Sequence, residues 1–317
     1  MTLKRGVKTE YNQILLDRFW EYRENRFMNQ DHLFDKPLTS KHNRPPVFKK
    51  KDASQNVVVE SYSYNNHVLN AIKPCQRHRW FGSMKSSQAL AQSVFGNLQY
   101  HGKLHLLQNI FANNESPFPV NDGFDCTLEH ELLYSLQLDG TKRNMLGEQE
   151  GRGTSIDAFL SGNLQVAIEC KLAEEKIGEC SKYKEGNDCY LTSVGVKYWE
   201  YIPKLFRWSV PLKCDTCPLR ETYQLVRNIL AACVPLESEP TPDTVRGHAV
   251  LLYDDRNPEF HDCCGKGMKA WQKTKDALKP KFTHLLQKCT WQKLMAELCT
   301  DPELKWLTDE LNEKYGF

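Results

Sequence analysis

The chain has 317 residues, 40% of them hydrophobic and 26% charged. That composition is ordinary for globular proteins and excludes disordered, collagen-like and coiled-coil chains. Lysine and arginine total 42 against 40 aspartates and glutamates, a net charge of +2, so only local patches can argue for a polyanionic partner.

The chain opens on MTLKRGVKTEYNQ, charged and with no apolar segment behind it, so no signal peptide is expected. No apolar run approaches the roughly 20 residues that span a bilayer. The expectation is a cytoplasmic protein with no membrane partner. Its 12 cysteines then sit in a reducing compartment, where thiols are expected rather than disulfides.

Residues 9–27 place Ile14, Leu15, Phe19 and Tyr22 near helical spacing and predict an amphipathic helix. Residues 28–56 are polar, carry Pro45-Pro46 and end in Lys49-Lys50-Lys51, which reads as a loop or linker with a basic end. A short alternating stretch follows at 57–63. A second basic cluster, Arg77-His78-Arg79-Trp80, precedes a helix that opens at Ser86-Ser87, good N-cap residues, and buries Leu90, Val94, Phe95 and Leu98. Another helix is expected over 103–113, and 126–138 fits helix and strand templates alike. Residues 155–160 and 164–172 read as two strands joined by Ser161-Gly162-Asn163, a hairpin. A long cysteine-bearing stretch, 173–220, leads to a helix at 223–232, a break from Pro235 to Pro242 and a buried strand at 247–255. The tail, 266–317, reads as two or three amphipathic helices. This order predicts an α/β sheet with helices packed on it.

The hairpin carries the chemistry. Alternate residues of a strand share a face, so Gln165, Ala167, Glu169 and Lys171 point one way and Leu164, Val166 and Ile168 the other. Closing on Ser161-Gly162-Asn163 sets Asp157 opposite Ala167 and diagonal to Glu169. Two carboxylates this close can share a divalent cation, which damps their repulsion. Mg²⁺ takes oxygen ligands and keeps several waters, so two carboxylates, the Cys170 carbonyl and a phosphate oxygen suffice. The Lys171 ammonium can orient a water or stabilise charge growing on phosphorus, and a metal-bound water is a nucleophile for phosphodiester hydrolysis. The competing reading is a solvated outer sheet face, but Ala158, Phe159, Leu160 and Ala167 leave little polar surface for one.

Asp157 followed by Glu169-Cys170-Lys171 on the next strand resembles the signature of the PD-(D/E)XK nuclease superfamily. Tyr223-Gln224-Leu225 with Arg227-Asn228 resembles the Gln-bearing helix of its lambda-exonuclease and RecB-like branches. Ser86-Ser87-Gln88-Ala89, Ser155-Ile156-Asp157, Ile168-Glu169-Cys170-Lys171, Cys189-Tyr190, Tyr198-Trp199 and Cys217-Pro218-Leu219-Arg220 together are similar to a group of stand-alone bacterial restriction-type endonucleases with a YQLxRN helix. The resemblance covers roughly residues 80–255. It implies a restriction-endonuclease-like core, a mixed four- to five-stranded sheet flanked by helices, over 86–260 with an insertion at 173–220. Residues 1–85 and 261–317 would be helical extensions. It also implies Asp157 and Glu169 as Mg²⁺ ligands (Mn²⁺ substituting), Lys171 as the catalytic lysine and Gln224 beside the site. An upstream glutamate, Glu129 in preference to Glu131, would complete the shell.

The insertion holds a Cys-x-x-Cys knuckle, Cys214 and Cys217, with Cys180 and Cys189 upstream. Four thiolates could hold Zn²⁺ or an iron–sulfur cluster, with zinc preferred; four unrelated thiols is the competing reading. Lys49, Lys50, Lys51, Arg77 and Arg79 are the candidate phosphate-tracking residues. The expected function is Mg²⁺-dependent DNA endonuclease in bacterial defence. DNA is the partner, with a second copy of the chain or a defence-system protein as further partners. The alternatives are a non-catalytic binding module on the same fold and a repair exonuclease acting on DNA ends.

Overall fold

Five strands lie side by side in chain order: β1 (Asp125–His130), β2 (Ile156–Ser161), β3 (Gln165–Lys171), β4 (Gly247–Tyr253) and β5 (Leu286–Thr290). The computed structural model describes the chain except residues 1–2, 36–42, 62–65, 110–122, 151–154, 181–187, 212–216, 235–240 and 262–263. β1–β2 and β2–β3 pair antiparallel, β3–β4 and β4–β5 parallel. Parallel neighbours need a crossover, and helices supply both. The longer helices are α1 (Leu3–Arg26), α2 (87–100), α3 (Tyr198–Leu205), α4 (Leu219–Cys233), α5 (Lys266–Ala277), α6 (Trp291–Leu298) and α7 (Lys305–Tyr315). The chain thus forms the mixed sheet flanked by helices that the sequence predicts.

β4, GHAVLLY, is buried along its whole length, as its unbroken apolar run requires of a strand covered on both faces. On one face Val166, Ile168, Val250 and Leu252 pack against α2, α6, α7 and the Tyr11–Phe19 side of α1. On the other, Phe159, Ala167, Ala249 and Leu251 pack against Leu225 and Ile229 of α4, Ile202 of α3 and Trp271 of α5. α2 carries one π turn, Gln92–Gly96. There Gln92 donates to the Val68 carbonyl at 2.6 Å and Asn97 to the Val58 carbonyl at 2.8 Å, tying the N-terminal segment to the helix.

Four expectations are corrected. The hairpin pairs Leu160 with Val166 and Ser161 with Gln165, so the loop is Gly162-Asn163-Leu164 and Asp157 does not oppose Ala167. Arg246 fixes that loop, donating to the Asn163 and Gly162 carbonyls at 2.9 Å each. The segment before Trp291 is strand, not helix: Thr290 accepts from Lys293 N at 3.2 Å and caps α6 there, while 286–290 pairs with β4. Residues 28–56 are no bare linker, because Phe34 and Phe48 stack at 4.4 Å within the core. Residues 57–61 join no strand; Val57, Val58 and Val59 are buried in the same core.

Helices α1 and α6 meet at the end of β3. Tyr11 Oη donates to the Leu172 carbonyl at 2.8 Å, and Trp291 Nε1 to the Lys171 carbonyl at 3.0 Å. Asn257 Nδ2 reaches the Leu172 and Glu174 carbonyls at 2.9 and 3.0 Å. Among the described residues no helix is long and apolar enough to cross a membrane.

Candidate active site

The strand registers align three carboxylates. Leu128 pairs with Ala158 and His130 with Ile156, which brackets Glu129 opposite Asp157. Ala158 pairs with Ile168, and one further step sets Asp157 opposite Glu169. Glu129, Asp157 and Glu169 therefore stand level on three adjacent strands, each about 4.8 Å from the next. Glu129 adopts a left-handed φ of 46°, where non-glycine backbone is strained by about 1–3 kcal/mol, and the ladder is interrupted at that pair.

Each acid is held by specific donors. Asp157 Oδ2 accepts the Cys170 amide at 2.7 Å. Burial raises its pKa well above the ordinary carboxylate value; Glu169 and Glu129 push the same way, against Lys171 and the Cys170 amide. Glu169 is 1% exposed; Asn228 Nδ2 donates to its Oε2 at 3.0 Å, and the Lys171 ammonium lies 2.6 Å from its Oε1. Glu129 accepts from the Ser155 hydroxyl and the Gln88 amide. Burial raises its pKa, opposed by those two hydrogen bonds and reinforced by Glu169. Burial alone would discharge Lys171, but Glu169, Glu174 and Asp157 outweigh it and its pKa is raised.

Several residues of this site escape sequence reasoning. Glu174, just past β3, accepts from Ser87 Oγ at 2.5 Å and from Leu172 N at 2.7 Å. The 86–88 stretch thus has three distinct tasks. Ser86 caps α2 by accepting from Ala89 N at 3.2 Å, Ser87 holds Glu174, and Gln88 holds Glu129. Asn228 rather than Gln224 touches the carboxylate row. Gln224 lies one turn earlier against the loop after β3, where a Cβ on Gly178 would come within 2.0 Å of its Oε1. Arg227 faces away to a separate buried network: its Nε donates to Glu148 Oε1 at 3.1 Å, where Tyr198 Oη also donates at 2.5 Å. Apart from the Ser86 cap, which the sequence predicts, serine and amide roles like these emerge only from contacts 26 to 87 positions apart in sequence.

The remaining candidates lie elsewhere. Glu131 is exposed. Lys50, Lys51 and Arg79 are exposed, Arg79 over the Trp80 ring at 4.6 Å. Lys49 reaches the His32 carbonyl, and Arg77 donates to the Leu69 carbonyl at 2.7 Å, so both also serve the fold. Cys214 lies outside the described residues. Cys180, Cys189 and Cys217 border one apolar cluster, the one under α4. Among the described residues no three His, Cys, Asp or Glu side chains form a ready metal shell. Zinc sites built wholly from protein ligands need such a shell; Mg²⁺ does not, since it takes one or two carboxylates and keeps its waters. The row suits such a hard cation. Its donors are carboxylate oxygens, and the buried Glu169 Oε1 meets the ammonium without a well-directed hydrogen bond.

Residues 12–316 match the family described as restriction endonuclease associating with ARP. A match over nearly the whole chain shows that the protein belongs to that family. No curated protein and no solved structure matches the chain.

Proposed function

We propose that this member of the restriction endonuclease family is a Mg²⁺-dependent DNA endonuclease of the PD-(D/E)XK type, acting in bacterial defence. The observation that carries the reading is the row of buried Glu129, half-buried Asp157 and buried Glu169 with the Lys171 ammonium at one end. Three carboxylates facing one ammonium leave negative charge that burial makes costly, and a divalent cation relieves it. Asp157 and Glu169 would hold the cation, with Glu129 completing the shell. The cation would supply a more acidic water and a Lewis acid for the phosphate.

The chain's own residues do the rest. Asn228 and the Cys170 amide fix the ligand oxygens. Lys171 stands where it can stabilise charge on the phosphorus centre or orient the water. The YQLxRN helix acts through Asn228, and Gln224 flanks the site one turn away. Lys50, Lys51 and Arg79 offer positive charge for phosphates. The family's description names association with ARP, and a protein partner of that kind is part of the reading, as is a cytoplasmic location.

The test uses purified protein with circular and linear DNA, in Mg²⁺ or in EDTA. Cleavage of circles in Mg²⁺ alone supports the reading. Digestion of linear DNA only would favour an end-dependent exonuclease, and binding without cleavage a non-catalytic module.

A further inference from the structure

Lys171 does more in this geometry than wait for a phosphate. Its ammonium lies 2.6 Å from Glu169 Oε1, with the two side chains only 10% and 1% exposed. The second oxygen of Glu169 is taken by Asn228, so the oxygen left without a directed hydrogen-bond donor is the one beside the lysine. An ammonium and a divalent ion cannot share one buried oxygen at bonding distance, since both carry positive charge in a medium that screens it poorly.

A second acid stands ready for the displaced ammonium. Glu174 lies three residues on, its carboxylate folded back by the Leu172 amide at 2.7 Å onto the end of the strand that carries Lys171, and its charge acts with that of Glu169 to favour the ammonium. Ser87 and the Leu172 amide fix its two oxygens separately, so it is a positioned carboxylate rather than a mobile surface side chain. The lysine's flexible four-carbon stem lets the charge swing without backbone movement.

We infer that Lys171 is the internal counter-ion of the carboxylate row, that it competes with the divalent cation for Glu169 Oε1, and that Glu174 is a positioning residue that receives the ammonium when the cation takes that oxygen. The inference rests on the reading of Asp157 and Glu169 as cation ligands. It makes metal affinity depend on two residues that are not metal ligands, with opposite signs. It also couples metal arrival to delivery of the ammonium away from the ligand oxygen, so the lysine is released for chemistry only when the cation is in place.

The experiment is a Mn²⁺ titration of full-length protein without DNA, by calorimetry or by the loss of free-ion electron paramagnetic resonance signal. The variants are Lys171→Met, Lys171→Gln, Glu174→Gln, Asp157→Asn and the double variant Lys171→Met/Glu174→Gln, each checked for its melting transition. The expected result is Mn²⁺ binding by the wild type that Asp157→Asn weakens. Binding should be at least about tenfold tighter in either Lys171 variant, because a competing charge is gone. Glu174→Gln should weaken it several-fold, and that defect should vanish in the double variant, which has no ammonium to rehouse. A merely structural Glu174 would keep its defect in both backgrounds. Wild-type affinity in both Lys171 variants, or a Glu174 defect that persists in the double variant, overturns the inference and leaves the ligand reading standing. Absence of Mn²⁺ binding in wild type and Lys171 variants alike, or binding indifferent to Asp157→Asn, overturns the ligand reading and the inference with it.

Discussion

Asn228 Nδ2 donates to Glu169 Oε2 at 3.0 Å, and this bond joins helix α4 to the strand that carries the candidate ligand and the lysine. Both residues are 1% exposed, so neither group can turn to water if the other is lost. Asn228→Ala leaves a buried carboxylate oxygen unpaired, which costs about 1–3 kcal/mol of stability. It should also lower metal affinity or cleavage by about 10–100-fold, the usual effect of removing a group that orients a ligand. Paired denaturation and cleavage assays check this. A variant that is destabilised but cleaves normally would reduce Asn228 to a packing role.

The two glutamates of β1 and its extension should behave differently. Glu129 is buried and held by Ser155 and Gln88, whereas Glu131 is exposed. Glu129→Gln should depress cleavage at least about tenfold and Glu131→Gln hardly at all. Ser155→Ala should fall between them. Equal mild losses from both glutamates would mean that the third oxygen comes from elsewhere.

These contacts mark how far the sequence can be read. Strand alternation places Asp157, Glu169 and Lys171 on one face, and that survives the hairpin correction because the register moved by two residues; a shift of one would have turned every side chain over. The neighbours across strands are another matter. Glu129 joins the row through a left-handed backbone that no periodicity announces. Glu174 looks like one of several acids after the strand, and only the Ser87 contact singles it out. β5 was hidden because 284–298 keeps helical spacing through the strand, and pairing with β4 overrides it. Among the described cysteines, spacing suggested a metal site that the geometry does not assemble into a ready shell.

The Arg227–Glu148 pair predicts a purely structural failure. Arg227 Nε meets Glu148 Oε1 at 3.1 Å, with side-chain exposures of 1% and 5%, and Asn144 Nδ2 donates to Glu148 Oε2 at 2.7 Å. Arg227→Met would leave the glutamate charge buried without its cation, a loss of about 3–5 kcal/mol. The double variant Arg227→Met/Glu148→Met should recover much of that. Chemical denaturation reads both, and a single variant within about 1 kcal/mol of wild type would show the pair to be dispensable.

Lys314 predicts a pH dependence. Burial pushes its pKa down to about 7, opposed by Glu310, and its nitrogen donates to Asn56 O and Oδ1 at 2.5 and 2.8 Å. Between about pH 7 and the ordinary lysine value of 10.5, the unfolded chain binds this proton more tightly than the folded one. Stability contributed by this site should therefore rise as pH rises through that window and level off below pH 7. The difference in unfolding free energy between wild type and Lys314→Met, followed from pH 6 to pH 10, should shift in favour of wild type with rising pH; a flat difference would show that the lysine titrates normally.

The most direct test of the catalytic reading is Lys171→Ala on circular DNA in Mg²⁺, with DNA affinity measured in parallel. The substitution removes one positioned charge and leaves Asp157, Glu169 and the basic surface in place. Cleavage should fall by about 10²–10³, the effect of losing one such electrostatic group, while DNA affinity stays close to that of wild type. Cleavage at the wild-type rate by the variant, in protein free of contaminating nuclease, would contradict the assignment.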